Sequence, residues 1–237
     1  MSAVEEHLAR YTASLDAPDL AARYHADGGC VVLPSTLPLG LVERLAAEAL
    51  ALAPRGVRRH VPWVRKAGAV PHPVVAREAP SLHALHQSPA LLALFSAVAR
   101  VPLQHRAPGE VHASAIYDYA RPGDHIAWHT DECGCPPGDS FSVLVGLVDQ
   151  SSSALELETW RACADRPPLR QRVRTTPGTV VFLCGARAWH RVTPLGADER
   201  RVTFGFTYLR LGKAPGGLYK LRLDLGNRLL YFGPGPH

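Results

Sequence analysis

Long apolar segments are absent from this sequence of 237 residues. No run reaches the roughly 20 apolar residues that a membrane helix needs, which argues against a membrane-spanning chain. The first ten residues, MSAVEEHLAR, are acidic where a secretory signal peptide is basic, and no apolar run follows them. We therefore expect a soluble, cytoplasmic protein with no membrane partner.

Cysteine is scarce and irregularly spaced. The sequence has five, at Cys30, Cys133, Cys135, Cys163 and Cys184. An odd number at such spacing does not suit a disulfide framework, so we expect reduced thiols. A chain of this length with 46% hydrophobic composition can bury a core without cross-links, and we expect one domain over residues 1–237.

No strong excess of one charge is present either. The 26 Lys and Arg residues against 21 Asp and Glu residues give a formal net charge of +5. This mild bias is spread along the sequence and is compatible with anionic metabolites, cofactors and nucleic acid alike. Charge alone therefore selects no partner.

Helical periodicity is confined to the first hundred residues. Apolar residues recur at three- and four-residue spacing in three segments: 4–15, 39–52 and 81–99. Ser35 or Thr36 is a candidate N-cap for the second helix. Residues 54–80 are rich in Pro and Arg without a clean period, which indicates a surface loop that contains one strand at most.

From Val111 onward the pattern changes to short β-type runs separated by Gly and Pro. These predicted strands cover residues 111–119, 125–130, 141–148, 154–158, 170–175, 179–183, 189–193 and 201–210. About eight short strands without long helices between them favour an antiparallel barrel or jelly roll. We expect a helical N-terminal support (1–105), a jelly-roll core (106–212) and a C-terminal extension (213–237).

His129 and Asp131 form a candidate metal-binding pair. They are two residues apart in DHIAWHTD, which has the pattern of a strand, so both side chains point to one face. Chance alone supplies about half of one such triplet in a sequence of this composition. A hydrogen-bonded pair without a metal is therefore the alternative.

His190 is the candidate third ligand. It follows a turn, a buried strand and a second turn, and it precedes a strand that begins with Arg. Two imidazoles and one carboxylate on one side of a metal suit Fe(II) and leave coordination positions open. A core histidine packed beside Trp189 is the alternative.

The last predicted strand carries a buried cation. Arg201, Thr203, Gly205 and Thr207 share one of its faces. An inward Arg is costly to bury unless an anion meets it, and a guanidinium matches a carboxylate in a bidentate pair. A dicarboxylate cosubstrate would be that anion, whereas a solvated Arg at the start of a strand is the alternative.

The sequence resembles the 2-oxoglutarate/Fe(II)-dependent oxygenase superfamily in the order of its motifs: His-x-Asp, about sixty residues, His, then Arg-x-Thr. The pattern is prolyl-hydroxylase-like and covers residues 111–210. The resemblance implies a double-stranded β-helix, or cupin-like jelly roll, with a catalytic core at 106–212. It implies Fe(II), 2-oxoglutarate and O2 as cofactor and cosubstrates. By the same resemblance, His129, Asp131 and His190 bind the metal, and the cosubstrate meets Arg201, Thr203 and Tyr117 or Tyr119.

Two features depart from the family pattern. The double Arg200-Arg201 leaves the register of the clamp open, and Arg201 fits because Arg201-Val202-Thr203 matches Arg-x-Ser/Thr. The run 117–123 has one residue more than in relatives, which leaves the inward Tyr undecided. Asp131 favours hydroxylation, because halogenating relatives carry Gly or Ala at that position.

Two other segments suggest competing sites. Cys133 and Cys135 directly follow the first candidate ligands and could form a zinc site with His129 or Asp131, although the second Cys knuckle of a structural zinc site is missing. The basic stretch 55–66, with Trp63 inside it, could contact phosphates, although charge runs are usually solvated. We expect no nucleic-acid partner.

The predicted function is hydroxylation of an unactivated C–H bond in a small molecule, an amino acid or a biosynthetic intermediate, with release of succinate and CO2. One alternative is an AlkB-like or prolyl-hydroxylase-like oxygenase that acts on nucleic acid or protein. The other is a non-catalytic, metal-binding cupin-like protein with closed coordination. The sequence leaves the oligomeric state open.

Overall fold

The computed structural model describes residues 3–107, 110–131, 138–161, 163–214, 225–226 and 231–232. Its helices are α1 (Ala3–Ala13), α2 (Ala17–Ala26), α3 (Leu39–Leu52), α4 (His72–Glu78), α5 (Pro80–His86) and α6 (Pro89–Ala99). Its strands are β1 (Cys30–Leu33), β2 (Val57–Val61), β3 (Arg65–Pro71), β4 (Leu103–His105), β5 (Ser114–Tyr119), β6 (His125–His129), β7 (Ser140–Gln150), β8 (Leu155–Thr159), β9 (Leu169–Val173), β10 (Val180–Cys184), β11 (Trp189–Val192) and β12 (Arg200–Arg210).

The last eight strands form two facing antiparallel sheets. One has the order β10-β7-β12-β5, and the other has the order β6-β11-β8-β9. β3 joins them because it pairs with both β5 and β6, while β1, β2 and β4 add to β10, β3 and β12. This is the jelly roll that the spacing of the strands predicted.

The alternation of side chains along these strands separates two cores. On β10, Val180 and Phe182 face the helices, whereas Val181 and Leu183 point between the two sheets. Phe182 stacks on Phe95 of α6 with ring centres 4.4 Å apart, which fixes that helix on the outer face of the sheet. The helices therefore cover one sheet and leave the space between the sheets for the site.

α3 occupies the range that its apolar period predicted, but its N-cap differs. Neither Ser35 nor Thr36 caps it, because the helix begins after Pro38 without a side-chain cap. Ser35 has a φ of 49° and its backbone N–H donates to Thr179, while the Thr36 hydroxyl bonds with that of Tyr11. Both residues thus tie the helical layer to the turn before β10.

Two predicted segments are divided differently in the structure. The helix predicted at 81–99 is two helices, because Ser88 caps α6 through the Leu91 N–H and Pro89 occupies the first helical turn. The loop predicted at 54–80 contains β2, β3 and α4. β3 was missed because five of its seven residues are Arg, Lys, Ala or Gly in place of β-branched or aromatic types.

The stretch Pro80–Ala99 meets the length and composition of a membrane helix, contrary to the expectation from the sequence. Half of its most apolar window is buried inside the protein, and the stretch is broken between α5 and α6. This is the behaviour of core helices.

The proposed three-part division of the chain remains a prediction. The jelly roll draws strands from before residue 105, since β1 and β3 both lie in its sheets. Most of the extension 213–237 lies outside the described residues, as do Cys133 and Cys135 and therefore the zinc site suggested for them. The three cysteines that the structure describes, Cys30, Cys163 and Cys184, are free thiols.

Candidate metal centre

The structure brings His129, Asp131 and His190 together between the two sheets. His129 and His190 are direct partners across the β6–β11 pair, and Asp131 follows the end of β6. One Asp131 oxygen lies 3.5 Å from His129 Nε2 and 3.6 Å from His190 Nε2. One ligand atom from each residue therefore lies within 4.8 Å of the others, close enough to share one ion.

Backbone carbonyls orient both imidazoles in the same way. His129 Nδ1 lies 2.9 Å from the Ala127 oxygen, and His190 Nδ1 lies 3.0 Å from the Ala188 oxygen. A carbonyl only accepts, so each Nδ1 carries the hydrogen and each Nε2 keeps its lone pair toward Asp131. This is the tautomer that a metal ligand needs.

Asp131 is held by its neighbours in the strands. Its Oδ2 accepts a hydrogen bond of 2.6 Å from the Ser142 hydroxyl of β7, and its backbone N–H donates to the Gly185 oxygen. A Cβ at Gly185 would lie 2.8 Å from the backbone oxygen of Asp131, so the close approach of these two segments needs glycine. The second carboxylate oxygen faces the two histidines.

The three ionisable groups share one electrostatic environment. Burial alone would raise the pKa of Asp131, but the histidines and Ser142 lower it overall. Burial and the neighbouring His129 lower the pKa of His190 to about 4. Burial also acts to lower the pKa of His129, although the hydrogen bond and charge of Asp131 raise it overall. The carboxylate is therefore anionic and His190 neutral at neutral pH, as a metal requires.

Arg201 lies inside the same cavity, as predicted. Its side chain is 1% exposed, and Nε donates to the Thr175 hydroxyl at 2.9 Å. Nη1 has no hydrogen-bonding partner among the described residues. Arg200 instead points away and pairs with Asp118. Arg201 rather than Arg200 thus points into the cavity, as the Arg-x-Thr spacing predicted.

The other predicted cosubstrate residues also line this cavity. Thr203 is buried beside Arg201 on β12, and Tyr117 and Tyr119 face it from β5. Burial raises the pKa of Tyr119 to about 12, against the opposing effect of Arg201, and raises that of Tyr117 as well. Both phenols therefore keep their proton at neutral pH, and both tyrosines face inward.

The cavity itself has a volume of about 480 Å³. Its walls combine apolar side chains, such as Ile126, Leu144 and Leu155, with the polar groups already named. The sequence did not single out several of the polar residues of the site: Arg106, Thr130, Ser142, Thr175 and Tyr231. None carries a local signal, because each reaches the site only through the pairing of strands or the path of the chain.

The residues present fit iron and 2-oxoglutarate. Two imidazoles and one carboxylate on one side of an ion match the preference of Fe(II) for a facial triad with open positions. The guanidinium of Arg201 is a buried cation whose Nη1 lacks a hydrogen-bonding partner among the described residues, and a carboxylate can provide that partner. The site can therefore hold a metal and a carboxylate side by side.

Several solved structures are similar to this protein over most of its length. The epimerase SnoN, in complex with Fe3+, alpha ketoglutarate and nogalamycin RO, matches with a TM-score of 0.68 and 21% identity, over 93% of this chain and 96% of that one. The carbocyclase SnoK from nogalamycin biosynthesis matches with a TM-score of 0.67 and 19% identity, over 95% of each chain. A prolyl hydroxylase from Trichoplax adhaerens, in complex with a peptide fragment, matches with a TM-score of 0.65 and 14% identity. The match covers 82% of this chain and 89% of that one.

No family model and no curated protein sequence matches this chain. The structural matches are each below 25% identity and cover most of both chains. They confirm the predicted resemblance at the level of the fold. The chain has the jelly-roll fold of the 2-oxoglutarate/Fe(II)-dependent oxygenases.

Proposed function

We propose that the protein is an Fe(II)/2-oxoglutarate-dependent oxygenase that acts on a C–H bond of a small molecule. One observation carries the proposal: the His129–Asp131–His190 triad, whose two Nε2 atoms both face Asp131, shares a cavity with the unpaired Nη1 of Arg201. The triad is suited to iron, and the guanidinium is suited to the far carboxylate of 2-oxoglutarate. Bound together, iron, 2-oxoglutarate and O2 supply the oxidant for the C–H bond and release succinate and CO2.

Each side chain has a distinct part in this scheme. His129, Asp131 and His190 hold the metal on one side, and rigid strands fix them there. Arg201 binds and orients the dicarboxylate, and Thr175 holds the guanidinium in place at Nε. The neutral hydroxyls of Tyr119 and Thr203 are available as hydrogen-bond donors beside it. The apolar walls exclude water from the reacting centre.

The cavity supports a small-molecule substrate. Its volume of about 480 Å³ lies within the range of roughly 300–1,000 Å³ that small-ligand pockets occupy. Two of the similar structures, SnoN and SnoK, come from the biosynthesis of nogalamycin, which is itself a small molecule. They are an epimerase and a carbocyclase, so the fold accommodates outcomes other than hydroxylation. For this chain we propose hydroxylation, and Asp131 supports it over halogenation only, because ring closure, desaturation and demethylation use the same three ligands.

Four of the five Lys and Arg residues in the basic stretch 55–66 are paired within the protein or buried, which disfavours action on nucleic acid. Arg55 pairs with Glu78, and Arg58 pairs with Asp124. Lys66 donates to the Pro122 oxygen, and Arg65 is fully buried. These cations are thus engaged within the protein rather than presented to phosphates.

An anaerobic titration of the metal-free protein with Fe(II), and then with 2-oxoglutarate, tests the site. We expect one Fe(II) per chain and a weak visible charge-transfer band after 2-oxoglutarate is added. His129→Ala removes the band, whereas His125→Ala keeps it. His125 is the matched control because it lies on the same strand with Nδ1 bonded to the Gly123 oxygen in the same manner.

Turnover tests the reaction. Succinate release should require Asp131 and His190, and a panel of metabolites scored by succinate should identify the substrate class. Near wild-type succinate production by Asp131→Ala or His190→Ala would overturn the proposal. Tight zinc binding without any 2-oxoglutarate band would support a non-catalytic cupin-like protein instead.

A further inference from the structure

A second group of histidines lies away from the iron triad. His83 and His86 are three residues apart on α5 and share one face of that helix, and His72 begins α4 beside them. One ring nitrogen from each of the three lies within 4.8 Å of the others. His105, at the end of β4, packs against His86 with ring centres 5.4 Å apart.

One of the three ring separations matches a tetrahedral site, and the two that involve His83 are wider. The ring centres are separated by 5.2 Å for His72 and His86, 5.9 Å for His72 and His83, and 6.5 Å for His83 and His86. With zinc–nitrogen bonds of about 2.0–2.1 Å, two ligating imidazoles have ring centres roughly 5 Å apart. A shift of about an ångström by His83, which is only half-buried, brings the three rings to that spacing.

Several nitrogens in this cluster are buried without a partner. His83 Nδ1, His86 Nε2 and His105 Nδ1 have no hydrogen-bonding partner among the described residues. A buried polar atom left unpaired costs about 1–3 kcal/mol, so three in one recess are unusual without a ligand. His72 differs, because its Nδ1 bonds with the Ser114 hydroxyl at 2.8 Å, which orients the ring and leaves Nε2 available to a metal.

The chemistry of the recess selects the kind of cation. The described residues that line it include four histidines and no carboxylate. Mg²⁺ and Ca²⁺ require oxygen ligands, whereas imidazole suits zinc and copper. Arg106 also lines the recess, but it pairs with Glu110 at 2.6 Å, which offsets its charge.

We propose that His72, His83 and His86, with His105 beside them, form a second metal site that binds Zn²⁺. The ion links α4 to α5 next to β4 and has no part in the oxygenase chemistry. Protonation does not compete at neutral pH for His72, His86 and His105. Burial and the neighbouring histidines lower the pKa of His86 to about 3, and burial lowers those of His72 and His105.

Metal titration of the tag-free chain tests this site. A His129→Ala/Asp131→Ala background disables the iron triad through two partly exposed residues. In that background we expect one Zn²⁺ per chain. His83→Ala should weaken binding by at least about 100-fold, because loss of a ligand exceeds the roughly 10–100-fold cost of losing its supporting partners. His60→Ala, an exposed histidine on β2, is the control and should change nothing.

Cobalt gives a second, spectroscopic readout of the coordination geometry at this site. Co²⁺ in a tetrahedral nitrogen site absorbs strongly in the visible, whereas a six-coordinate facial site absorbs weakly. We expect the strong band in the background protein and its loss in His83→Ala. Absence of both stoichiometric Zn²⁺ binding and the strong band in the background protein overturns the proposal, as does unchanged affinity in His83→Ala. Neither result bears on the iron triad.

Discussion

Two consecutive arginines have opposite environments in this protein. Arg201 is buried beside the candidate metal centre with one nitrogen unpaired, and Arg200 is partly exposed and paired with Asp118. The difference follows from the alternation of side chains along β12. The pair therefore offers a matched test of the cosubstrate clamp.

Arg201→Ala should weaken 2-oxoglutarate binding by about 30- to 1,000-fold, because loss of one partner of a buried charge pair costs about 2–4 kcal/mol. Arg200→Ala should leave that affinity within about twofold, since the Arg200 side chain points away from the cavity and pairs with Asp118. Titrating each Fe(II)-loaded variant with 2-oxoglutarate measures both. Equal losses in the two variants would contradict the assignment of Arg201.

Ser142 is the residue that holds the second oxygen of Asp131. Ser142→Ala should lower Fe(II) affinity by about 10- to 100-fold, as the loss of supporting hydrogen bonds to metal ligands does. Ser140→Ala is the control, because the Ser140 hydroxyl lies two residues earlier on β7 and has no hydrogen-bonding partner among the described residues. A competition assay with a fluorescent chelator measures the two affinities, and similar values would refute the role of Ser142.

At the scale of the element, β7 and β12 carry an irregularity next to the site. Val202 pairs with Val148 and Thr203 pairs with Gly146, so Leu147 is an extra residue in β7. The backbone of Thr175 and Thr176 passes directly over Gly146. This packing places Thr175 where it can hold Arg201.

Gly146→Ala should therefore be strongly destabilising. The new Cβ would collide with the backbone oxygens of Thr175 and Thr176, which a rotamer change cannot relieve. We expect a loss of about 3 kcal/mol, or roughly 6–12 °C in Tm for a chain of this size.

Gly40→Ala is the matched control for that substitution. No atom lies within 4 Å of a Cβ at Gly40 in α3, and the change should stabilise the protein by about 0.4–1 kcal/mol. Thermal unfolding followed by circular dichroism compares the two variants. A Gly146→Ala variant as stable as the wild type would show that the backbone of Thr175 and Thr176 does not pack closely on Gly146.

At the scale of the whole molecule, the candidate site connects the two sheets. His129 and His190 belong to β6 and β11 in one sheet, and Arg201 belongs to β12 in the other. A cosubstrate that contacts the metal and Arg201 would span them. Ligand binding should then stabilise the fold as a unit.

With redox-silent Mn²⁺ in place of iron, adding 2-oxoglutarate at about 100 times its Kd should stabilise the protein by about 2.7 kcal/mol, or roughly 5–10 °C in Tm. Arg201→Ala should keep the increase caused by Mn²⁺ and lose at least about two thirds of the increase caused by 2-oxoglutarate at that concentration. Differential scanning fluorimetry measures both. An undiminished response to 2-oxoglutarate in Arg201→Ala would contradict the bridging arrangement.

The sequence by itself determined the eight strands of the jelly roll and selected the residues that the structure brings together in the candidate site. Strand periodicity is a local property, and it identified β5 to β12 and placed Arg201 and Thr203 on one face. The spacing of His129 and Asp131 likewise fixed their common orientation. These features needed only the alternation of side chains and a family pattern.

Only the tertiary structure decided the rest. β3 joins the two sheets although its residues are poor strand formers, because its neighbours β5 and β6 supply the hydrogen bonds. Ser142 and Tyr231 reach the cavity, and Thr175 reaches Arg201, from distant parts of the chain. The second histidine cluster brings α4, α5 and β4 together. Such contacts depend on which strands pair and how helices pack, and no local pattern in the sequence records them.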